Sequence, residues 1–141
     1  MCEFLLSIDG AEEALANSTW TIFAPTNDGL KRFLDTHDDA GASELESIFW
    51  FHTIAGEEMR RKDLPCFAGM NLVTMANGRD SRTLCNNEGK AIAQKGLGNT
   101  ERIPVVKYNI NACNGVIHTI EDVLLTDRSY LEEVEGDAYV V

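Results

Sequence analysis

The stretch that decides the fold of this chain is ACNGVIHTIEDVLL, residues 112–125. Its Asn114-Gly115 dipeptide is typical of the two-residue hairpin turn in which both central residues need positive φ. Val116, His118 and Ile120 then follow at alternate positions, so their side chains leave a strand on one face. A histidine on an apolar face needs hydrogen-bond partners for its ring. We therefore expect His118 to be a buried structural residue.

The composition describes one globular domain with an acidic surface. The 141 residues are 44% hydrophobic, which suits a single domain with its own core, and no apolar run approaches the length of a membrane span. The formal net charge of −11 repels nucleic acids and anionic membranes, so we expect no nucleic-acid partner and no direct membrane insertion by this segment. We expect a domain at residues 1–130 and a loose acidic tail at residues 131–141.

Helical patterns dominate the first half of the chain. Residues 3–16 predict an amphipathic helix with a break near Gly10. An apolar stripe at residues 30–34 predicts a second helix, which Thr26 or Asn27 caps. Each of these helices should therefore bury one face.

A third helix is predicted after a polar loop. Ser43 and Glu46 occupy the N-cap and N3 positions of a capping box, and Gly56 is a natural C-terminal stop. The apolar stripe between them ends with His52. His52, like His118, should therefore point into the core as a structural histidine.

Strand patterns dominate the second half. The predicted strands lie at residues 20–24, 72–75, 82–85, 91–93, 105–110 and 116–120. Two Asn-Gly dipeptides separate neighbouring strands and predict antiparallel hairpins. Helices and strands do not alternate as βαβ units, so the predicted fold class is α+β.

The four cysteines do not have the spacing of a zinc site or a Cys-x-x-Cys motif. Cys66 and Cys85 bracket a predicted hairpin, and a disulfide between them would stabilise the fold by roughly 3 kcal/mol. Cys113 is interpreted as a small core residue or as a partner of Cys2.

Two observations bear on the cellular location. Asn17-Ser18-Thr19 is the single Asn-x-Ser/Thr sequon and makes Asn17 a glycosylation candidate. Together with an even number of cysteines it points to the secretory pathway. Residues 1–6 have no basic segment ahead of an apolar run, so the chain is either intracellular or a piece of a longer precursor.

No catalytic, metal or cofactor site is predicted. The chain has no Gly-x-Ser-x-Gly motif, and its histidines lack the spacing of metal ligands. The acidic residues at 35–39 lack the pattern of a calcium loop. Two large aromatic residues, Trp50 and Phe51, form a possible partner surface, with ordinary packing between helix and sheet as the alternative.

The order of these features resembles the fasciclin (FAS1) domain family. Residues 21–27, TIFAPTN, match the family's early motif Thr-x-Phe-Ala-Pro-Thr-Asp/Asn. Residues 114–124, NGVIHTIEDVL, match its late motif, to which Asn114, Gly115 and His118 belong. Phe51-His52 with Gly56 stands where the family carries a Tyr-His pair followed by glycine. The match spans residues 20–125.

The resemblance implies both a fold and a function. It implies two packed, mostly antiparallel β-sheets in a wedge, with a cluster of helices from the N-terminal half on one side. It also implies an extracellular or cell-surface adhesion or matrix role, commonly in tandem copies. Three departures stand out. Phe51 lacks the hydroxyl of the family's tyrosine, which puts receptor recognition of that kind in doubt. The segment before Thr21 is shorter than in most members, so we expect a truncated N-terminal helix, and Gly29 is a weak helix former.

Two functions of different classes follow. The first is a non-enzymatic adhesion module that binds a cell-surface or matrix protein or a glycan. The alternative is a carrier of a small lipid-like ligand, held in an apolar groove between the helices and the sheet. A hydrolase would need an exposed histidine near a serine or cysteine in a cleft, which the sequence does not indicate.

Overall fold

A computed structural model describes residues 8, 10–66 and 71–126. Cys2, the predicted acidic tail at residues 131–141 and the first part of the helix predicted over residues 3–16 lie outside these residues. The division of the chain at residue 130 therefore stays a prediction.

Three helices precede most of the strands in the described part of the chain. They are α1 (Ala11–Ala16), α2 (Asn27–Thr36) and α3 (Ala42–Trp50), with a short 3₁₀ turn at Arg61–Asp63. Thr26 caps α2, because its hydroxyl accepts a hydrogen bond from the Gly29 N–H at 3.1 Å.

The predicted limits of α3 were wrong at both ends. Gly41 is the N-cap, with no side-chain hydrogen bond, and Ser43 already lies inside the first turn, so the capping box does not form. The helix ends at Trp50, ahead of the buried His52. Gly56 does not stop the helix but follows β2 (Thr53–Ala55) with a φ of 79°.

Seven strands form one mixed sheet in the order β2-β1-β7-β6-β5-β4-β3. Besides β2, they are β1 (Trp20–Pro25), β3 (Leu72–Thr74), β4 (Asp80–Cys85), β5 (Ala91–Lys95), β6 (Ile103–Ala112) and β7 (Gly115–Ile120). Strands β1 and β7 are parallel, and the other neighbours are antiparallel. The α+β class with mostly antiparallel strands is therefore confirmed.

The predicted wedge of two separate sheets is not confirmed. Strand β6 is long enough to pair with β5 near its start and with β7 along the rest of its length. The Ala76 N–H, in the turn after β3, donates to the Thr53 carbonyl of β2 at 2.8 Å. The two ends of the sheet therefore approach each other, and the sheet curls towards a barrel.

Two apolar clusters make the core. One lies against the inner face of the curled sheet and includes Phe23, Phe51 and Ile120. The other packs the helices and includes Phe33 and Phe49. The alternating burial of β1 and β7 supplies side chains to the first cluster, as their period of two requires.

The last hairpin forms where the sequence predicts it, but its turn differs. Ala112 pairs with Gly115, so the two loop residues are Cys113 and Asn114. Among the described residues, neither Asn114 nor Gly115 has a positive φ. The turn predicted from Asn114-Gly115 was therefore wrong, and the glycine is needed for another reason: a Cβ on Gly115 would overlap the Trp20 carbonyl of β1.

Candidate functional site

His118 joins three segments through its ring. Its Nε2 lies 2.8 Å from the Met59 carbonyl and therefore carries the proton. Its Nδ1 accepts the Asn109 N–H at 3.1 Å. Asn109 has a φ of 59°, where β6 departs from regular pairing. The neutral ring thus holds both an irregular stretch of β6 and the segment that leads to the 3₁₀ turn.

His52 makes an analogous pair of contacts at the end of α3. Its Nδ1 lies 2.7 Å from the Ile48 carbonyl and carries the proton. Its Nε2 accepts the Leu124 N–H at 2.9 Å. His52 therefore links the last turn of α3 to the chain that follows β7.

Both histidines are held in the neutral form. Burial lowers the pKa of His52 to about 4, against the opposing effect of the Ile48 carbonyl. Burial also lowers the pKa of His118; the Met59 carbonyl opposes the shift and the Arg60 charge adds to it. A ring with both nitrogens engaged by the backbone offers no free base to a substrate. The contacts of both rings are consistent with the structural role predicted for these two family-motif residues.

Residues 121–125, which we call the strap, leave β7 without regular secondary structure. The first half of the strap is bound to α2. The Thr26 hydroxyl donates to the Glu121 carbonyl at 3.1 Å, and the Arg32 guanidinium lies 3.6 Å from the Asp122 carboxylate. A Cβ on Gly29 would lie 2.9 Å from the Asp122 Cα. Gly29, which sequence analysis treated only as a weak helix former, therefore permits this approach.

The second half of the strap is bound by the loop after β5. The Asn99 amide donates to the Val123 carbonyl at 3.1 Å, and its oxygen accepts the Leu125 N–H at 3.0 Å. A Cβ on Gly96 would overlap the Leu125 carbonyl. The sequence patterns did not predict a role for Asn99 or Gly96, although three glycines between residues 89 and 98 are consistent with a close approach of backbones.

The two residues of the predicted aromatic partner surface differ in burial. Phe51 is fully buried, so it was wrong to place it on a surface; it lies in the core with Phe23. Trp50 is half-buried, and its ring centroid lies 5.5 Å from that of Trp20. The Trp20 indole N–H donates to the Ala14 carbonyl at 3.3 Å. The two tryptophans thus form a fixed, partly exposed pair, which we call the tryptophan pair.

The cysteines differ in environment. Cys66 and Cys85 form a disulfide with their Cα atoms 5.9 Å apart, which ties the segment before β3 to the end of β4. Cys113 is free and exposed in the β6–β7 turn. Its assignment to the core was therefore wrong, because the turn centres on Cys113 and carries its side chain outward.

Two asparagines lie near the end of α1. Asn114 donates to the Leu15 carbonyl and, at 2.9 Å, to the Ser18 carbonyl, so it fastens the β6–β7 turn to the end of α1. Asn17, the residue of the sequon, is exposed and donates to the Glu13 carbonyl at 3.0 Å. Asn114 is thus a structural residue, whereas Asn17 is accessible at the surface.

A groove of about 980 Å³ lies between α2, the start of β6 and the strap. Phe33, Ile103 and Val123 form apolar parts of its wall. Charged residues of both signs also line it: Arg32, Lys95, Glu101, Arg102, Glu121 and Asp122. The groove therefore combines apolar walls with charged residues.

Neither a metal centre nor a membrane span is found in the part of the chain that the structure describes. No group of at least three His, Cys, Asp or Glu residues there could hold a metal ion. No helix among those residues has the length and apolar character needed to cross a bilayer.

The comparisons with known proteins agree with this architecture. The sequence profile described as Fasciclin domain matches residues 3–126, so the chain belongs to the fasciclin domain family. One solved structure with a similar fold is the FAS1 domain pair of fasciclin I, an insect cell adhesion molecule, with a TM-score of 0.65 and 16% identity. The similarity covers 87% of this chain but 43% of that one. A comparison with curated protein sequences finds no match.

Family membership carries general properties with it. Fasciclin domains are associated with cell adhesion, are generally non-catalytic, and occur in extracellular or cell-surface proteins. The Cys66–Cys85 disulfide is consistent with such an oxidising location.

Proposed function

We propose that this chain is a non-enzymatic adhesion module that binds a cell-surface or matrix protein or a glycan through the tryptophan pair. The tryptophan pair carries the proposal, because Trp20 and Trp50 are partly exposed and packed against each other. Tryptophans that are already fixed lose little side-chain entropy on binding and are enriched among the residues that dominate interface energies. By analogy with the insect domain pair, we also propose that the chain works beside further fasciclin domains.

An adhesion assay tests this function. Surfaces coated with the chain should retain cells or matrix protein above the level of an albumin coat. Trp50→Ala should reduce this adhesion about tenfold or more, the effect expected for an interface residue worth at least 1.4 kcal/mol. Adhesion no greater than that of albumin would contradict the proposed function.

A matched control separates a specific surface from general stickiness. Leu97 is 54% exposed and lies in the loop after β5, so Leu97→Ser also removes exposed apolar area. This variant should keep full adhesion. Because Trp50 packs against Phe49, circular dichroism must first show that Trp50→Ala is folded. A folded Trp50→Ala variant with full adhesion would contradict the assignment of the surface and leave the adhesion function standing.

We further propose that the chain is secreted and carries a glycan on Asn17. The exposure of Asn17 at the end of α1 supports this proposal, because a transferase must reach the amide. Expression through a eukaryotic secretory pathway should give a mass that falls after enzymatic deglycosylation. Asn17→Gln should abolish that change. An unmodified wild-type chain would contradict the proposal.

The lipid-carrier alternative receives less support from the groove. Charged residues around the groove would be desolvated by an apolar ligand, at a cost that burial of apolar surface must offset. Native mass spectrometry of the purified chain tests the alternative directly. A co-purified lipid would favour the carrier, whereas a ligand-free spectrum is expected for the adhesion module.

A further inference from the structure

The strap couples the two cores of the domain. Leu124 is fully buried in the cluster of Phe23 and Phe51, whereas its neighbour Val123 is buried in the cluster of Phe33. Consecutive side chains of one extended segment thus enter different cores. Displacement of the strap would remove both side chains at once and would uncover part of the cluster that contains Phe51.

One of the groups that hold the strap accepts its hydrogen bond through a nitrogen that can take up a proton. Thr26 and Asn99 carry no titratable side chain, and a further contact is the ion pair of Arg32 with Asp122. His52 differs, because its Nε2 accepts the Leu124 N–H only while the ring is neutral. Protonation would place an N–H⁺ opposite the Leu124 N–H, so that two donors would face each other in a buried site.

We propose that protonation of His52 releases the strap, so that the segment after β7 opens in acid while the central sheet stays folded. The acid form of the adhesion module would then expose the apolar surface around Phe51. This release is a local opening, of the kind that native proteins undergo without global unfolding. It goes beyond the proposed adhesion function and does not depend on the tryptophan pair.

Protonation of His52 would act directly on the strap, because the ring contacts the backbone on both sides. From α3 the ring faces the Ile48 carbonyl, and from the strap it faces the Leu124 N–H. Burial and the Ile48 carbonyl are the two influences on its pKa, and no ionisable side chain among the described residues contributes. The Asp122 carboxylate of the strap is paired with Arg32. Both hydrogen-bond partners of the His52 ring are therefore uncharged backbone groups.

Amide hydrogen exchange on the wild-type chain tests the proposal. The opening constant of the Leu124 amide, corrected for the intrinsic pH dependence of exchange, should rise up to about tenfold per pH unit below pH 6.5, or roughly 30-fold at pH 5. Amides of β7, which exchange only when the whole domain unfolds, should have opening constants well below that of Leu124 at every pH in this range. A Leu124 opening constant that is independent of pH, or that equals the opening constant of the β7 amides, would overturn the proposal.

Two variants separate proton binding from loosening of the strap. His52→Gln removes the titrating group, so the pH dependence of Leu124 opening should disappear. Asn99→Ala removes a side chain that hydrogen-bonds to the strap. The opening constant of Leu124 should then increase by a similar factor at every pH, with an unchanged dependence on pH. If His52→Gln does not fold, the NMR chemical shifts of the ring nitrogens in wild-type His52 provide the test, because they report protonation of the ring directly. Ring protonation that does not track Leu124 opening would contradict the release mechanism, as would an unchanged slope in a folded His52→Gln variant.

Discussion

The backbones of β1 and β7 approach each other closely at Gly115, so replacement of this single residue should destabilise the domain. A Cβ at this position would overlap the Trp20 carbonyl of the paired strand. Gly115→Ala must therefore push β1 and β7 apart, at a cost of about 3 kcal/mol typical of overpacking in a core. Urea denaturation would measure the loss in the free energy of unfolding.

Gly41→Ala provides the matched control for that measurement. Gly41 has a φ of −77°, and apart from its chain neighbours no atom lies within 4 Å of the position that a Cβ would take. Its replacement should change the free energy of unfolding by less than about 1 kcal/mol, because only the weak capping preference of glycine is lost. Equal effects of the two substitutions would contradict the close approach of β1 and β7.

Periodicity predicted which histidines are buried, but it did not predict the hydrogen-bond partners of their rings. His52 and His118 share faces with apolar residues, and both are buried. The partners of their rings are backbone groups of Ile48, Met59, Asn109 and Leu124. Backbone N–H and carbonyl groups do not depend on the type of side chain, so the sequence does not indicate which of them a histidine ring will contact. Phe51 was misplaced because the predicted helix continued to Gly56 and left Phe51 off its apolar stripe, whereas α3 ends at Trp50 and Phe51 turns into the core.

At the scale of elements, the capping of two helices gives a prediction with an internal control. Thr26→Ala removes a hydroxyl that accepts the Gly29 N–H and donates to Glu121. The expected loss is about 1–2 kcal/mol. Ser43→Ala should be neutral or slightly stabilising, because Ser43 makes no cap to α3 and alanine is the better helix former. Thermal or urea denaturation of both variants would compare them; a larger loss for Ser43→Ala would contradict the observed helix starts.

The disulfide gives a second prediction at this scale. Cys66 and Cys85 close a loop with a sequence separation of 19. The Cys66→Ala/Cys85→Ala variant should lose about 3 kcal/mol of stability on the chain-entropy description. A reducing agent should destabilise the wild type and leave this variant unchanged. Cys113→Ser should behave as wild type, since Cys113 is free and exposed; unchanged stability of reduced wild type would contradict a stabilising bridge.

Local pairing of strands was predictable, whereas their order in the sheet was not. Strands β3 and β4 are joined by a short turn that contains Asn77-Gly78, so sequence neighbours pair. The parallel pairing of β1 with β7 joins distant parts of the chain and carries no turn signature. For the same reason, the periodicity of the sequence did not predict the strap, because the strap is held by contacts with α2 and with the loop after β5. Its two glycine contacts appear only once the chain has folded.

At the scale of the whole molecule, the buried histidines make folding sensitive to acid. In the unfolded chain a histidine takes up a proton below about pH 6.5, whereas the folded pKa of His52 is about 4 and that of His118 is also lowered. The unfolded state therefore binds more protons in this window, and the free energy of unfolding falls as the pH falls. Each histidine contributes up to about 1.4 kcal/mol per pH unit, and His52 alone roughly 3 kcal/mol by pH 4.

The net charge of −11 has the opposite effect on the free energy of unfolding. It therefore limits the pH range in which the contribution of the histidines can be measured. Protonation of surface carboxylates relieves repulsion in the folded state, but most of this occurs near and below pH 4.5, close to their usual pKa values. Between pH 7 and 5 the histidines should dominate. Urea denaturation across this range should therefore show a falling free energy of unfolding, with NMR titration of both rings in parallel. A constant or rising free energy of unfolding towards pH 5 would mean that neither histidine is held neutral by the fold.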